Sequence, residues 1–317
     1  MKLLFELSGE HPGIPLAEIE CLGTITASAP QVAVADCPCP GEVSRLAQTH
    51  LVMEYLGECE TDLISFRSLL SDLSLSTERS FACRVKRVHP SVLPAGKGDL
   101  ERMMGDLITG DVSLNNPQEE YRAIFSDGTC YLGRVIHRIE RGSYAYRNPM
   151  RRPFFHPGVM MPLMARAMVN LTHVRPDEIF YDPFCGTGGI LLEAELIGAR
   201  TVGSDIDPKM IDGFCNNIRD AVCFRADTCQ LPIGDGAVDA IGTDLPYGQS
   251  TAIGASSLER LYDASLSEIR RVLRRGGRAV VVTHRDISSA ASEYFDIIHA
   301  FDQRVHKSLT RRILVLQ

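Results

Sequence analysis

The sequence predicts an α/β protein whose C-terminal half is built on a mostly parallel sheet and whose N-terminal half is α+β. Three observations carry this. From Gly158 onward, short apolar runs alternate with stretches of helical spacing, as strands joined by crossover helices do. Several of those runs end in an acid followed by a glycine or proline turn. Before residue 140 the runs are instead joined by short turns such as Asp127-Gly128. The 317 residues suggest about two domains, and 44% hydrophobic content suffices for real cores.

Taken in order, Lys2–Leu7 reads as a strand, and residues 14–21, apolar at Ile14, Leu16, Ala17 and Ile19, as a helix. Residues 32–35 read as a strand, 44–55 as a helix and 56–59 as a short strand. Leu63–Leu73 has helical spacing. Residues 80–88 alternate apolar and basic side chains, as a half-exposed strand does. Residues 99–107 form a helix capped by Asp99, and 121–126 and 129–137 a hairpin. Residues 139–153 read as a linker, with Arg141, Arg147, Arg151 and Arg152 against the single acid Glu140. Beyond it come helix 158–173, strand 179–183, helix 187–196, strand 201–205, helix Pro208–Asn217 and strand 222–226. Strand Val238–Asp244, helix 258–273, strand 278–284 and helix 288–294 follow. The final pair, 297–305 and Leu309–Leu316, supplies one antiparallel strand. The expected organisation is 1–60 a small acidic subdomain, 61–138 a second α+β region, 139–153 the linker and 154–317 the β/α domain.

A net charge of −7 argues against a simple nucleic-acid binder. The charge is uneven, however. Residues 1–60 hold two basic against nine acidic side chains, whereas residues 79–152 hold thirteen basic against eight acidic, so the local field in the middle is positive. The ten cysteines include no C-x-x-C pair, which leaves no metal set and suggests free thiols in a cytoplasmic protein. No secretion signal, membrane-length apolar run or internal repeat is present.

Two stretches carry chemistry. Tyr181-Asp182-Pro183-Phe184-Cys185-Gly186-Thr187-Gly188-Gly189 is a strand, a glycine turn and a helix start, so a ligand can approach the backbone closely. A dinucleotide site would want a third glycine where Leu191 stands, and Asp182 beside the turn suits a cationic ligand better than a pyrophosphate. Asp205 and Asp227 end the next two strands, the first placed for a ribose diol and the second for an adenine amine. Asp207 could instead cap a helix. The second stretch is Thr243-Asp244-Leu245-Pro246-Tyr247-Gly248, where proline and glycine end a buried strand in a stiff turn. A carboxylate and a backbone carbonyl there can both accept from one exocyclic amine, while a tyrosine stacks on the ring that bears it. No histidine base is paired with Cys185 in sequence, so it reads as a packing residue. Arg270-Arg271 with Arg274-Arg275 is either a phosphate patch or a solvated helix end.

The residues 182–189, Asp205, Asp227 and Asp244-Leu245-Pro246-Tyr247 resemble the successive motifs of class I methyltransferases that use S-adenosylmethionine. The D-x-P-Y form resembles the amino-group methyltransferases. Arg152-Pro153-Phe154-Phe155-His156-Pro157-Gly158 is similar to the extra cofactor-contacting segment of the archaeal and eukaryotic tRNA guanosine-10 N2-methyltransferases, and the stretch from His306 to Arg311, Ser308 included, also resembles that family. Residues from about Leu63 to Ile136 look like a THUMP domain, on Phe81 to Arg87, Leu100-Glu101-Arg102 with Gly105, Asn116-Pro117 and Tyr131-Leu132-Gly133. One departure is Leu245, where related enzymes often have proline; the carbonyl survives it.

The resemblance implies a Rossmann-like class I methyltransferase domain behind a ferredoxin-like and THUMP region. It implies methyl transfer to N2 of guanosine 10 in tRNA, once or twice, with S-adenosylmethionine as cofactor. It places the cofactor on Phe155, His156, Pro157, Asp182, Cys185, Gly186, Thr187, Gly188, Asp205, Ile206, Asp227, Thr228 and Asp244, and the chemistry on Asp244, Leu245, Pro246 and Tyr247. Arg84, Lys86, Arg87, Arg141, Arg147, Arg151 and Arg152 are the expected phosphate contacts. The resemblance also implies a small zinc-binding activator protein that adds a strand to the sheet edge. The alternatives are amine methylation on another tRNA base or on DNA, and a catalytically silent tRNA-binding subunit.

Overall fold

The computed structural model describes residues 1–88, 93–218, 221–248, 255–307 and 309–317, so Ser308 lies outside the described residues. They form two compact units, Met1–Glu140 and Arg141–Gln317.

In the first unit, β1 (Lys2–Leu7) is buried from Leu3 onward because it lies inside a sheet, antiparallel to β3 (Val32–Asp36) and β4 (Thr49–Glu60). The helix α1 (Ile14–Ile19) follows β1, and β2 (Thr24–Ala29) borders β3. The expected helix over 44–55 is not formed. Pro40–Arg45 is a 3-10 turn, and the twelve residues of β4 are strand. Leu51, Val52 and Met53 are consecutive buried residues, a run that helix and buried strand both allow; the neighbouring edges of β1 and of β7 (Thr129–Arg138) decide for strand. Residues 56–59 belong to this same strand. β2, made of small residues with half-exposed alternation, gave no sequence signal.

The rest of this unit is α2 (Leu63–Leu73), β5 (Phe81–Arg87), α3 (Lys97–Leu107), β6 (Glu119–Ser126) and β7. Asp62 caps α2 by accepting from the Ile64 and Ser65 amides at 2.9 and 2.8 Å. In α3 the cap position falls to Gly96, and Asp99 reaches back to the Gly96 N–H from inside the first turn. α2 and α3 cover one sheet face through Phe66, Leu70, Leu100 and Met104, packed with Phe81, Phe125 and Leu132. The strand order is β2-β3-β1-β4-β7-β6-β5, in which only β5 and β6 are parallel. β4 pairs with β1 on one side and β7 on the other, so residues 1–60 and 61–138 share one sheet.

In the second unit, Arg141–Arg147 and Pro149–Arg151 are 3-10 turns. The helix α4 (Pro162–Leu171) begins four residues later than the sequence pattern suggests, with Met161 extended at its cap. Pro162 disfavours helical backbone in the residue before it, which fixes that boundary. Then come β8 (Ile179–Asp182), α5 (Gly189–Glu195), β9 (Arg200–Asp205), α6 (Pro208–Asn217), β10 (Val222–Arg225), β11 (Val238–Asp244), α7 (Ala255–Val272), β12 (Leu273–Thr283), α8 (Ser288–Ala291), β13 (Ile297–His306) and β14 (Leu309–Leu316). α7 buries Leu258, Tyr262, Leu266 and Ile269, one helical face, against Ile241, Val281 and Leu314. The sheet order is β10-β9-β8-β11-β12-β14-β13; every described pairing is parallel except those of β14. The chain winds outward from β8 to β10, then resumes at β11 on the other side of β8. That reversal opens a crevice at the C-terminal ends of β8 and β11. No helix among the described residues is long and apolar enough to cross a membrane.

Candidate active site

The crevice is a cavity of about 410 Å³ lined by His156, Pro157, Asp182, Gly186, Thr187, Asp244, Leu245 and Tyr247, among others. Its floor is the glycine turn. Gly186 and Gly188 both take positive φ, 49° and 82°, and a Cβ on Gly188 would stand 2.7 Å from the Phe214 ring. The Cys185 amide donates to the Ser204 carbonyl at 2.9 Å, stitching the turn to β9. The Cys185 thiol is buried, and burial pushes it far above the ordinary range, which suits packing and not nucleophilic chemistry.

One wall is the segment 154–160. Asn217, the last residue of α6, accepts from the Phe154 N–H at 3.0 Å and donates to the carbonyls of Phe154 and Thr187 at 2.9 and 3.0 Å. The Phe154 ring lies over Gly213, where a Cβ would meet it at 2.0 Å. This clamp leaves His156 to Met160 facing the cavity. The Phe155 ring does not line it and is 46% exposed.

The opposite wall is the 244–248 turn. The Leu245 amide donates to the Val282 carbonyl at 2.8 Å, its side chain is buried in the core, and the Pro246 carbonyl accepts from Tyr262 at 2.6 Å. These bonds hold the turn without a proline at 245. Among the described residues, nothing donates to the Leu245 carbonyl. The Tyr247 hydroxyl donates to Asp244 Oδ1 at 2.8 Å, and its ring lies 4.9 Å from that of His284.

Three carboxylates sit at the strand ends. Asp182 is buried and accepts from the Thr243 hydroxyl at 2.7 Å and the Phe184 amide at 3.1 Å. Burial pushes it up to about 7, and the carboxylates of Asp205 and Asp244 add to this. Asp205 accepts from the amides of Gly186 and Asp207 at 3.1 and 2.9 Å and is also raised by burial. Burial pushes Asp244 up to about 6, against the pull of the Arg311 guanidinium and the Tyr247 hydroxyl. Asp182 and Asp244 line the cavity, while Asp205 is bonded to its glycine turn through the Gly186 amide; a concave site with two desolvated carboxylates favours an organic cation, and a sulfonium methyl donor has that chemistry.

Other expected residues lie outside the cavity. Asp207 caps α6 through the Lys209 amide. Ile206 is 57% exposed, and the Asp227 carboxylate accepts from the Cys229 amide at 2.9 Å on an exposed turn. Thr228 is buried beneath the glycine turn, donating to the Pro183 carbonyl at 3.0 Å. Thr243, Met210, Asn217, His284 and Arg311 touch the cavity or the residues that line it, with no role assigned to them from sequence. Thr243 and Arg311 had a signal, as ends of the 243–248 and 306–311 stretches.

Most of the expected phosphate contacts are engaged within their own unit. Arg84 donates to the Leu114 carbonyl at 2.8 Å, Lys86 pairs with Glu6 at 3.1 Å, and Arg87 donates to the Ala95 carbonyl. Arg147 and Arg166 both pair with the buried Glu193, at 2.7 and 2.9 Å, and Arg152 donates to the Arg147 carbonyl. Arg141 is half-buried and Arg151 exposed. In the arginine cluster, Arg271 pairs with Glu268 and Asp235 and Arg274 with Glu178 and Asp239, which favours a helix end tied to its neighbours.

Fold and site together define a class I, S-adenosylmethionine-dependent methyltransferase. Residues 149–313 match the family model described as RMKL-like, methyltransferase domain. The chain is 34% identical to the tRNA (guanine(10)-N2)-dimethyltransferase of Methanothermobacter thermautotrophicus over all of this chain and 99% of that one. It is 30% identical to the enzyme of the same name from Methanocaldococcus jannaschii, over 98% of each. The structure of TrmN from Thermus thermophilus matches with a TM-score of 0.54 and 21% identity, over all of this chain and 99% of that one. The chain belongs to the tRNA (guanine(10)-N2)-dimethyltransferase family.

Proposed function

We propose that the chain methylates the exocyclic N2 of guanosine 10 in tRNA, adding one or two methyl groups from S-adenosylmethionine. The family supports the substrate. The single observation that supports the chemistry is a Leu245 carbonyl to which, among the described residues, no backbone N–H donates, beside a Tyr247-bonded Asp244 in a cavity that Asp182 also lines.

Bound in the cavity, S-adenosylmethionine supplies an electrophilic methyl group on a cationic sulfur. Asp182, Asp205 and the 185–188 turn hold the donor, with His156 and Pro157 on the facing wall. Asp244 and the Leu245 carbonyl accept the two N–H groups of the guanine amine. A guanine N2 lone pair is delocalised into the ring, so it is a poor nucleophile. Accepting both hydrogens would turn the nitrogen toward tetrahedral geometry and free its lone pair to take the methyl group. Orientation of this kind can contribute about 7–11 kcal/mol. The proton that the methylated amine then sheds would pass to Asp244 or to water. Tyr247, its hydroxyl fixed on Asp244 Oδ1, presents its ring as a stacking surface worth about 1–3 kcal/mol, and Oδ2 remains for the amine. A guanine inside a stem must leave its stack at a few kcal/mol, offset by phosphate contacts. Arg151 is the exposed cation of the 141–152 segment and the strongest candidate for such a contact.

A small zinc-binding activator that adds a strand is proposed on the resemblance. The ten-residue β13, which pairs with β14 on one side at the sheet's edge, offers the longer of the two edges.

The test is nucleoside mass spectrometry of transcript tRNA incubated with donor. The expected product is N2-methyl- or N2,N2-dimethylguanosine at position 10, reduced at least 100-fold by Asp244→Ala. Full activity of that variant would retire the assignment, and methylation on adenine would redirect it to another amine.

A further inference from the structure

Two arginines stand side by side on β14 and face opposite ways, as successive strand residues do. Arg312 is an ordinary surface cation, paired with Asp286 at 3.0 Å and Asp302 at 3.8 Å. Arg311 is 9% exposed and donates from Nε to the Tyr247 hydroxyl at 3.3 Å. That hydroxyl in turn donates to Asp244 Oδ1 at 2.8 Å. A guanidinium taken out of water is costly unless an anion compensates it. The carboxylate on which its charge acts is Asp244.

We propose that Arg311 is a positioning residue for methyl transfer, holding the Tyr247 hydroxyl and, through it, keeping Asp244 ionised and turned toward the amine. The inference rests on the role given to Asp244 above. Its logic is electrostatic. Burial pushes Asp244 up to about 6, and Arg311 with the Tyr247 hydroxyl opposes this. The other groups around the pair do not supply the same help. Asp182, at the end of the neighbouring strand β8, is a like charge that opposes ionisation of Asp244. Tyr262 of α7 is bonded to the Pro246 carbonyl, and the His284 ring packs on Tyr247 with burial and Arg285 holding it below its ordinary value. A guanidinium is permanently charged. It therefore keeps the carboxylate an acceptor whether the adjacent donor is still cationic or has given up its methyl group, which matters most if a second transfer follows the first.

The experiment is kcat/KM for transcript tRNA, pH 5.5 to 9, on the full-length protein. Arg311→Gln is expected to move the acid limb up by about one pH unit, with a loss of about threefold at pH 6.5 that grows toward pH 5.5 and shrinks toward pH 9. The loss should fall on kcat, with KM for tRNA within threefold. Arg311→Lys should return the limb to its wild-type position. A loss of equal size at every pH, or an unmoved limb, overturns the proposal. If Arg311→Gln does not fold, the nearly isosteric Arg311→Met decides, since it removes the guanidinium and leaves the Tyr247–Asp244 bond; a raised limb supports the proposal and an unmoved one overturns it. Asp244→Ala, run alongside, separates the two readings. Activity in that variant removes the proposed function, whereas its inactivity with an unmoved Arg311→Gln limb removes only the role of Arg311.

Discussion

Asp182 shows how a single buried side chain makes stability depend on pH. Its carboxyl is buried under Thr243 and Phe184, and it moves from an ordinary 3.8 to about 7. A carboxyl raised in the folded state binds its proton more tightly there than in the unfolded chain. Its contribution is therefore fully present below pH about 4 and is lost as pH rises to about 7. The displacement corresponds to roughly 4 kcal/mol at most. Asp182→Asn keeps an acceptor for Thr243 and Phe184 but removes the charge. Urea unfolding at pH 4.5 and 7.5 without donor should show the variant losing less stability than wild type over that interval. Donor affinity, by calorimetry, should fall at least tenfold in the variant. Parallel pH dependence in the two proteins would mean that Asp182 does not titrate as its burial demands. At this scale Asp182 and Asp244 were legible, because strand-end acids beside glycine and proline turns are local patterns. Asn217 and Thr243 were not, because each acts on a residue about 60 positions away.

The clamp between α6 and the 154–160 segment is the element on which the cavity wall depends. Gly213 makes room for the Phe154 ring and Asn217 bonds its backbone on both sides. Gly213→Ala places a methyl group inside that ring's space, an overpacking that typically costs about 1–3 kcal/mol. The outcome expected is a lower melting temperature together with at least tenfold weaker donor binding. Asn217→Ala should weaken donor binding with a smaller thermal effect. Thermal unfolding with and without donor reads both, and unchanged donor affinity in the two variants would detach the 154–160 wall from the site. The helix α6 was read correctly because Pro208 follows the capping Asp207 and the apolar spacing is regular. The 44–55 stretch was misread because three consecutive apolar residues fit either period, and its neighbours β1 and β7 lie far off in sequence.

At the scale of the whole chain, the unit Arg141–Gln317 has its own sheet and its own buried cluster. Expressed alone, it should fold and bind donor within about threefold of the full chain, measured by calorimetry. Methylation of tRNA should fall at least 100-fold, because the THUMP-like region that the resemblance assigns to RNA binding is absent. Equal tRNA methylation by the isolated unit would remove that role. In the full chain the salt slope of tRNA binding should also be modest for so arginine-rich a middle region. Arg84, Lys86, Arg87 and Arg147 are already bonded inside their units, so fewer cations are left to displace phosphate counterions.

Local order alone determined the alternation of strands and helices after residue 158, the glycine turn at 185–188, the acids that end β8, β9 and β11, and the aromatic turn at 244–248. Each of these is encoded within a few neighbouring residues, through periodicity, proline and glycine. The tertiary structure decided that β4 is a strand, that most of the expected phosphate-contacting residues are bonded within the protein itself, and that Asn217 and Arg311 are bonded to Thr187 and Tyr247. Those outcomes depend on which distant segments pack together, and pairing between elements leaves no periodic trace in the chain.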